Sequence, residues 1–259
     1  MANSITKYMY HYQPKVNAKS NEIVGYECLI RAVEDNIILT PDKFLHKLQE
    51  GNSWPSLWPR LFSRLGFEMQ KGNMTYAINV SPSELVSKTF RTALRGCMGV
   101  GLINPNQIEL EITEYKDIKN YKEINQVVES FNNLGVKVWL DDFGAGYSSF
   151  NHLKRLHVQG IKIDRCIISG LESSGWQQKV VESLVQYGYE RNSLVLAEGI
   201  ETHSQLKTIK NLGCDLAQGF YLGKPQPAKF YTRPHTESCS LKNSPAGTEM
   251  AFPASQVGL

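Results

Sequence analysis

Short apolar runs alternate along most of the chain with longer segments of helical period. Eight runs are rich in β-branched and aromatic residues, which is typical of buried strands. They cover residues 7–16, 22–32, 74–80, 107–113, 136–142, 160–168, 193–200 and 214–223. Helical patterns separate most of them, and residues 118–134 repeat apolar side chains close to helical spacing. This alternation predicts an α/β fold with mainly parallel strands.

Helix starts can be recognised from their capping residues. Ser81 and Glu84 stand three residues apart before an apolar run, and Thr202 and Gln205 do the same. Both pairs have the pattern of a capping box, in which each side chain bonds to the backbone of the other residue. Thr40 is expected to be an N-cap, and Pro41 then occupies the first helical position, where its missing N–H has no cost. Three helices are therefore predicted to begin at these points.

Eight strands fit either an open doubly wound sheet or a closed barrel, and their number and length favour a TIM-like (β/α)8 barrel. The link at residues 17–22 is shorter than the roughly dozen residues that a parallel crossover requires. The first strand is therefore predicted to be antiparallel. Residues 1–231 are assigned to the barrel domain. Residues 232–259 are rich in Ser, Pro, Thr and Gly without an apolar period, which predicts a disordered tail.

Composition narrows the partners and the compartment. The chain has 259 residues, a net charge of +3 and no long basic run, so neither a nucleic acid polymer nor a membrane is an expected partner. Its five cysteines form no C-x-x-C pair, which disfavours a disulfide framework or a structural zinc site. The first residues lack the apolar region of a signal peptide. No apolar run approaches the 18–20 or so residues of a membrane span. A cytoplasmic location is expected.

Polar side chains, most of them acidic, lie within or just beyond the apolar runs. In a barrel, the carboxyl ends of the strands meet at one rim. A single acid at a strand end is more often a cap or a surface ion pair, but a set from most of the predicted strands predicts one shared site. The adjacent carboxylates of Asp141 and Asp142 predict a cation between them or a neutral form of one of them. The set comprises Glu27, Arg31, Asn79, Glu111, Glu114, Asp141, Asp142, Lys162, Asp164, Glu198, Glu201 and Gln218.

These side chains favour a site for hard cations. Oxygen ligands select Mg²⁺ or Mn²⁺, and no histidine stands at these strand ends, which disfavours zinc. The carboxylates are more than one ion needs, so we expect two ions about 4 Å apart that share one aspartate, a geometry suited to displacement at phosphorus. Lys162 would then face the attacking water or the phosphate, although alone it would be interpreted as a salt bridge.

Two other enzyme classes share part of this pattern. An enolase-type barrel also combines carboxylate-bound Mg²⁺ with a lysine, and the spacing of the acids does not exclude it. The triplet Asp-Phe-Gly at 142–144 occurs in protein kinases, but the other kinase motifs are absent from the sequence. The choice between these classes depends on longer motifs.

Eight motifs in a fixed order decide it. The chain resembles the EAL-domain family of cyclic di-GMP phosphodiesterases over about residues 7–230. The matching stretches are YQPKV, GYECLIR, INVSP, ELEITE, DDFGAGYSSF, IKID, AEGIET and GCDLAQGFYLGKP. The resemblance excludes the enolase alternative. It implies a TIM-like barrel with an antiparallel first strand and hydrolysis of cyclic di-GMP to linear pGpG with two Mg²⁺ or Mn²⁺ ions.

The resemblance also assigns roles by position. It implies that Glu27, Asn79, Glu111 and Asp141 bind one ion, and that Asp141, Asp142 and Glu198 bind the other. Lys162, Glu198 and Gln218 would act on the catalytic water and its surroundings, and Glu114 would brace the loop after Asp142. The implied substrate contacts are Gln13, Arg31, Asp164 and Glu201.

Two further expectations accompany the resemblance. In the family, the loop at 142–150 couples the site to a homodimer interface, and some relatives bind cyclic di-GMP or other proteins without cutting the nucleotide. The alternative is therefore a weak or inactive receptor of cyclic di-GMP or a protein-interaction module.

Cys28 replaces the alanine of the Glu-Ala-Leu signature, and on a strand it should point away from Glu27. Asp141 and Asp142 can act together only where the strand ends, which Gly144 and Gly146 would permit.

Overall fold

Eight strands close into a barrel in the computed structural model, which describes residues 5, 7–50, 54–113, 118, 120–146, 149–172 and 175–228. The barrel strands are β1 (Lys7–Asn17), β2 (Ile23–Glu34), β4 (Thr75–Val80), β5 (Ile108–Thr113), β6 (Lys137–Phe143), β7 (Gly160–Ile163), β8 (Leu194–Ala197) and β9 (Leu216–Ala217). β1 pairs antiparallel with both β2 and β9, and the other neighbours in the barrel are parallel. The TIM-like barrel with an antiparallel first strand is confirmed.

Two short strands extend the barrel wall. β3 (Ile37–Leu39) adds to β2, and β10 (Gln226–Pro227) adds to β1, both antiparallel. The apolar runs at 160–168 and 214–223 contain much shorter strands than predicted. After β7, Asp164 accepts a hydrogen bond from the backbone N–H of Cys166 at 2.8 Å and begins a helix. The chain therefore leaves the sheet at an N-cap, although the residues that follow are apolar.

Helices surround the barrel. They are α1 (Pro41–Glu50), α2 (Trp54–Met69), α3 (Pro82–Val86), α4 (Lys88–Gly99), α5 (Tyr121–Asn132), α6 (Ser149–Arg155), α7 (Arg165–Ile168), α8 (Gly175–Arg191) and α9 (His203–Asn211). Both predicted capping boxes are present, with the Glu84 carboxylate accepting from the Ser81 N–H at 2.9 Å and Gln205 acting likewise at Thr202. Among the described helices, none is both long and apolar enough to cross a membrane.

Trp139 fills the barrel interior toward the N-terminal ends of the parallel strands, the lower end of the barrel. Its side chain is fully buried against Leu196 and Leu216. Gly160 makes room for it, because a Cβ there would lie 2.2 Å from the indole ring. The larger core lies between the strands and the helices. The interior is therefore closed below, and the site must lie above Trp139. The predicted tail at 232–259, the domain boundary at 231 and Glu114 lie outside the described residues.

Candidate active site

Each barrel strand contributes one polar side chain to a layer above Trp139. Six of them lie within strands and two come directly after one: Gln13, Glu27, Asn79, Glu111, Asp141, Lys162, Glu198 and Gln218. Alternation along a strand places each on the inner face. Gln13 pairs with Glu27, and Asn79 pairs with Glu111. Backbone bonds continue one residue past β8 and β9, from Glu198 to Ile163 and from Gln218 to Ala197. The polar layer is therefore held by the sheet itself.

The carboxylates form two triads that share Asp141. Glu27, Glu111 and Asp141 offer oxygens within 4.8 Å of one another, and so do Asp141, Asp142 and Glu198. Asn79 lies beside the first triad, where its Nδ2 donates to Glu27 at 2.8 Å. Gln218 donates to the other oxygen of Glu27 at 2.6 Å. The two triads and Asn79 together comprise all six residues that were predicted from the sequence to bind metal.

Asp142 reaches the same site as Asp141 because its backbone is left-handed, with φ +57°. The strand pairing of β6 with β7 shifts between Leu140 and Phe143, so the regular alternation of faces ends there. Aspartate is one of the few residues that tolerate this conformation. The sequence suggested that two glycines provide the required freedom; in the structure it lies in Asp142 itself and in Gly144, with φ +103°.

Lys162 stands at the centre of the carboxylates. Its ammonium lies 2.8 Å from Glu198, 2.9 Å from Glu111, 3.0 Å from Asp141 and 3.8 Å from Glu27. The side chain is 1% exposed. Burial lowers the pKa of this lysine, but Asp141, Glu111 and Glu198 outweigh burial, so its pKa lies well above the usual value. The lysine is therefore charged and neutralises part of the acid cluster.

One lysine does not offset all these acids. Burial raises the pKa of Glu111 to about 8, with Glu27 adding to the effect and Lys162 opposing it. Burial and the neighbouring Asp141 raise the pKa of Asp142 to about 6. Glu27 differs, because Lys162 and the amides of Asn79 and Gln218 outweigh burial and lower its pKa. Such perturbed acids in a cleft are typical of a functional site, and bound cations would favour their ionised forms.

The side chains present fit divalent metal ions of the hard class. All the converging ligand atoms of the two triads are oxygens, the type preferred by Mg²⁺ and Mn²⁺. Glu111 Oε1 and Gln218 Oε1 are buried without a hydrogen-bond partner. Acceptors of this kind have capacity left for a cation or for the waters around it. Glu27, Asn79, Glu111, Asp141, Asp142 and Glu198 could hold two ions.

The polar layer opens into a cavity of about 370 Å³ at the barrel mouth. Gln13, Arg165, Glu201 and Phe220 are among the residues that line it beside the acids. Arg165 pairs with Glu201 at 3.0 Å, and both are largely exposed. Gly219 packs against the backbone of Ile200, where a Cβ would lie 2.2 Å from it. The cavity combines an acidic floor with a mixed polar and aromatic rim.

The remaining predicted residues are placed differently. Gln13 lines the cavity and donates to Gly223 O at 3.2 Å. Arg31 is half-buried on β2 and donates to Ile30 O at 2.8 Å, outside the cavity lining. The Asp164 carboxylate caps α7 instead of lining the cavity. Cys28 is buried in the core outside the barrel interior, as the strand alternation predicts. The substrate roles of Arg31 and Asp164 remain predictions.

Sequence reasoning missed three polar residues near the site. Arg165 lies on the rim, and Lys15 and Glu109 form a buried ion pair beneath Glu111. The signal for the buried pair was the two-residue period of strands. Lys15 follows Gln13 by two residues, and Glu109 precedes Glu111 by two, so each shares the inner face with a predicted site residue.

Comparison with known proteins decides the family. A family model for the EAL domain matches residues 4–225. The chain belongs to the EAL domain family. The match covers all eight barrel strands and both carboxylate triads.

Curated relatives of this EAL domain are longer proteins. The bifunctional diguanylate cyclase/cyclic di-GMP phosphodiesterase MucR of Pseudomonas aeruginosa is 30% identical over 226 residues, which are 85% of this chain and 33% of MucR. The cyclic di-GMP phosphodiesterase PdeR of Escherichia coli K12 is 30% identical over 229 residues, which are 86% of this chain and 34% of PdeR. This chain therefore spans about a third of the length of these relatives.

Solved EAL domains share the fold. An EAL domain protein from Listeria monocytogenes EGD-e superposes with a TM-score of 0.78 at 28% identity, covering 86% of this chain and 90% of that one. The PaMucR phosphodiesterase in complex with c-di-GMP gives 0.75 at 29% identity, covering 86% and 94%. The likeness extends over nearly the whole of each solved domain.

Proposed function

We propose that this EAL domain is a cyclic di-GMP phosphodiesterase that hydrolyses one phosphodiester bond to give linear pGpG. The observation that carries the proposal is the pair of carboxylate triads sharing Asp141, with Lys162 between them at the mouth of the barrel. The relatives named as cyclic di-GMP phosphodiesterases and the c-di-GMP complex of PaMucR support the choice of substrate.

Two Mg²⁺ or Mn²⁺ ions bound by the triads would supply positive charge at the reacting phosphate and a water of lowered pKa. Glu27, Asn79, Glu111 and Asp141 would hold one ion, and Asp141, Asp142 and Glu198 the other. The protein keeps these side chains in place before substrate arrives, because most of them lie on strands. Such preorganisation is the main way a protein site stabilises charge that develops during reaction.

Lys162 would orient the attacking water and share the negative charge of the phosphate. Its buried ammonium is held by three carboxylates at 2.8–3.0 Å, so it carries a fixed positive charge at the floor of the cavity. Gln218, bonded to Glu27, would orient waters in the same layer. Gln13, Arg31, Asp164 and Glu201 are proposed for the nucleotide, and Glu114 is proposed to brace the following loop.

A nucleotide assay with a panel of metals tests this proposal. Purified protein is incubated with cyclic di-GMP and Mg²⁺, Mn²⁺ or Ca²⁺, or with EDTA, and the products are separated by ion-pair chromatography. We expect pGpG with Mg²⁺ or Mn²⁺ and none with EDTA. Binding of cyclic di-GMP without any product, in metal-loaded protein, would instead establish the receptor alternative.

Two further parts of the proposal concern the cellular location and the oligomeric state. We propose a cytoplasmic homodimer whose subunits meet around residues 142–150. Phe150 supports this interface, because it is 66% exposed while its ring packs 5.2 Å from that of Phe143, beside the second triad. Light scattering on wild-type protein and on Phe150→Asp tests the dimer; a wild-type monomer with full activity would contradict it.

A further inference from the structure

A second charged layer lies directly below the candidate active site. Lys15 on β1 is fully buried and forms an ion pair with Glu109 on β5, which is also buried. The lysine ammonium lies 5.2 Å from the centre of the Trp139 ring. A buried lysine needs this much compensation because its desolvation is costly. Apolar residues of similar volume would often be as stable in this place, so the pair indicates a role other than stability.

The pair touches the site through Glu111. Lys15 Nζ lies 3.6 Å from Glu111 Oε1, while Lys162 Nζ lies 2.9 Å from Glu111 Oε2. Glu111 Oε1 has no hydrogen-bond partner. The carboxylate of Glu111 is thus placed between two cations, one in its own layer and one below it. The attraction of Lys15 falls on the oxygen that Lys162 does not contact.

The two lysines differ in what they share with the site. Lys162 contacts carboxylates of both triads, so it lies among the groups that a metal ion would use. Lys15 contacts Glu109 and Glu111 only among the acids of the described residues, and it is held from the side away from the cavity. At 3.6 Å, Lys15 attracts Glu111 Oε1 without a hydrogen bond, so that oxygen keeps its lone pairs for an ion.

We propose that Lys15 is a positioning residue that orients Glu111 for metal binding, with Glu109 as its counter-ion. This inference rests on the proposed metal-dependent function. Partners behind metal ligands usually fix the ligand's orientation, and their loss weakens metal binding. Glu111 has few other restraints, because Lys162 is the one other cation that its carboxylate contacts within the described part of the chain.

Two variants separate the orienting role from general stability. Lys15→Met combined with Glu109→Leu removes both charges and keeps similar volumes, so no buried charge is left without a partner. Glu109→Gln is the matched control: its amide oxygen still accepts from Lys15, which keeps Glu111 as a charged partner at 3.6 Å, and its melting temperature in EDTA shows that it is folded. Both variants lose the same carboxylate, and only the first loses the lysine.

The readout is Mn²⁺ affinity, measured by calorimetry on protein stripped with EDTA, together with the melting temperature in EDTA. We expect the double variant to bind Mn²⁺ about 10- to 100-fold more weakly than wild type, while Glu109→Gln stays within about threefold. Equal affinities in wild type and the double variant would overturn the positioning role. An equal loss in both variants would do so too, because it would assign the effect to Glu109. A wild-type chain that binds no Mn²⁺ would refute the proposed function as well.

Discussion

Asp141 is the carboxylate on which the candidate site depends most, because it belongs to both triads. Replacing it with Asn keeps the size of the side chain but removes one negative charge from the proposed sites of both ions. We expect Asp141→Asn to lower the rate of cyclic di-GMP hydrolysis by at least about 100-fold, the scale of losing one preorganised charge. Chromatography of the products at saturating Mn²⁺ measures the rate.

Glu190→Gln is the control for Asp141→Asn. Glu190 is an exposed carboxylate near the end of α8, and it bonds only to Gln186 on the same helix among the described contacts. The Glu190→Gln protein should hydrolyse cyclic di-GMP at the wild-type rate. A rate for Asp141→Asn within threefold of wild type would show that the metal assignment is wrong.

Asp142 should make the stability of the metal-free protein depend on pH, and its environment gives the sign of that dependence. Burial and Asp141 raise its pKa from 3.8 to about 6, so without metal the folded protein holds this proton more tightly than the unfolded chain. The stability that the protonated Asp142 side chain contributes is therefore fully present below about pH 4 and is lost as the pH rises through about 6. In EDTA, wild type should lose melting temperature relative to Asp142→Asn between pH 4 and 7.

The comparison with Asp142→Asn cancels the effects of titrating groups that do not interact with Asp142, since those groups behave alike in both proteins. A difference in melting temperature that stays constant from pH 4 to 7 would contradict the raised pKa. Saturating Ca²⁺ should remove the pH dependence, because a bound cation favours the ionised carboxylate.

At the scale of single strands, the fit of β7 against β6 depends on Gly160. A Cβ at this position would lie 2.2 Å from the Trp139 ring, and the indole has no free space inside the barrel. Gly160→Ala should lower the free energy of unfolding by about 1–3 kcal/mol, as is typical of overpacked cores. Urea unfolding followed by tryptophan fluorescence measures it.

Gly96→Ala is the matched control on a helix. Gly96 lies inside α4, and a Cβ at this position would have no atom within 4 Å, so alanine should fit and raise stability by up to about 1 kcal/mol. Destabilisation by the same amount in both variants would mean that contact with Trp139 is not the cause.

Helix starts could be predicted from the sequence more readily than the ends of strands. The two capping boxes at Ser81 and Thr202 depend on residues three apart, so local reasoning found them. The ends of the strands were harder. The apolar stretch after Ile163 favours a longer strand, but the cap at Asp164 turns it into a helix. A cap competes with a strand through one hydrogen bond, which composition alone does not reveal.

At the scale of the whole molecule, the acid cluster couples metal binding to folding. The triads exist only when β2, β5, β6 and β8 are assembled, so an ion that binds them stabilises the folded state. At a free Mn²⁺ concentration 100-fold above the dissociation constant, the expected gain is about 2.7 kcal/mol. Differential scanning fluorimetry with Mn²⁺, Mg²⁺ and Ca²⁺ measures it as a rise in melting temperature.

Asp141→Asn should show little of this rise, because both triads lose a shared ligand. An unchanged melting temperature in wild type with all three metals would contradict the existence of the site. A rise of equal size in the variant would place metal binding elsewhere on the chain.

The α/β barrel, its antiparallel first strand and the six proposed metal ligands could all be predicted from the amino-acid sequence. The barrel and its first strand follow from local periods and from one short link, and the ligand set is what the resemblance of the ordered motifs to the EAL-domain family implies. How the ligands meet became visible only in the folded barrel. Asp142 reaches the site through its own left-handed backbone, and Lys15 lies under Glu111 although 96 positions separate them along the chain. Such contacts depend on barrel closure and strand register, which set distances between residues far apart in sequence.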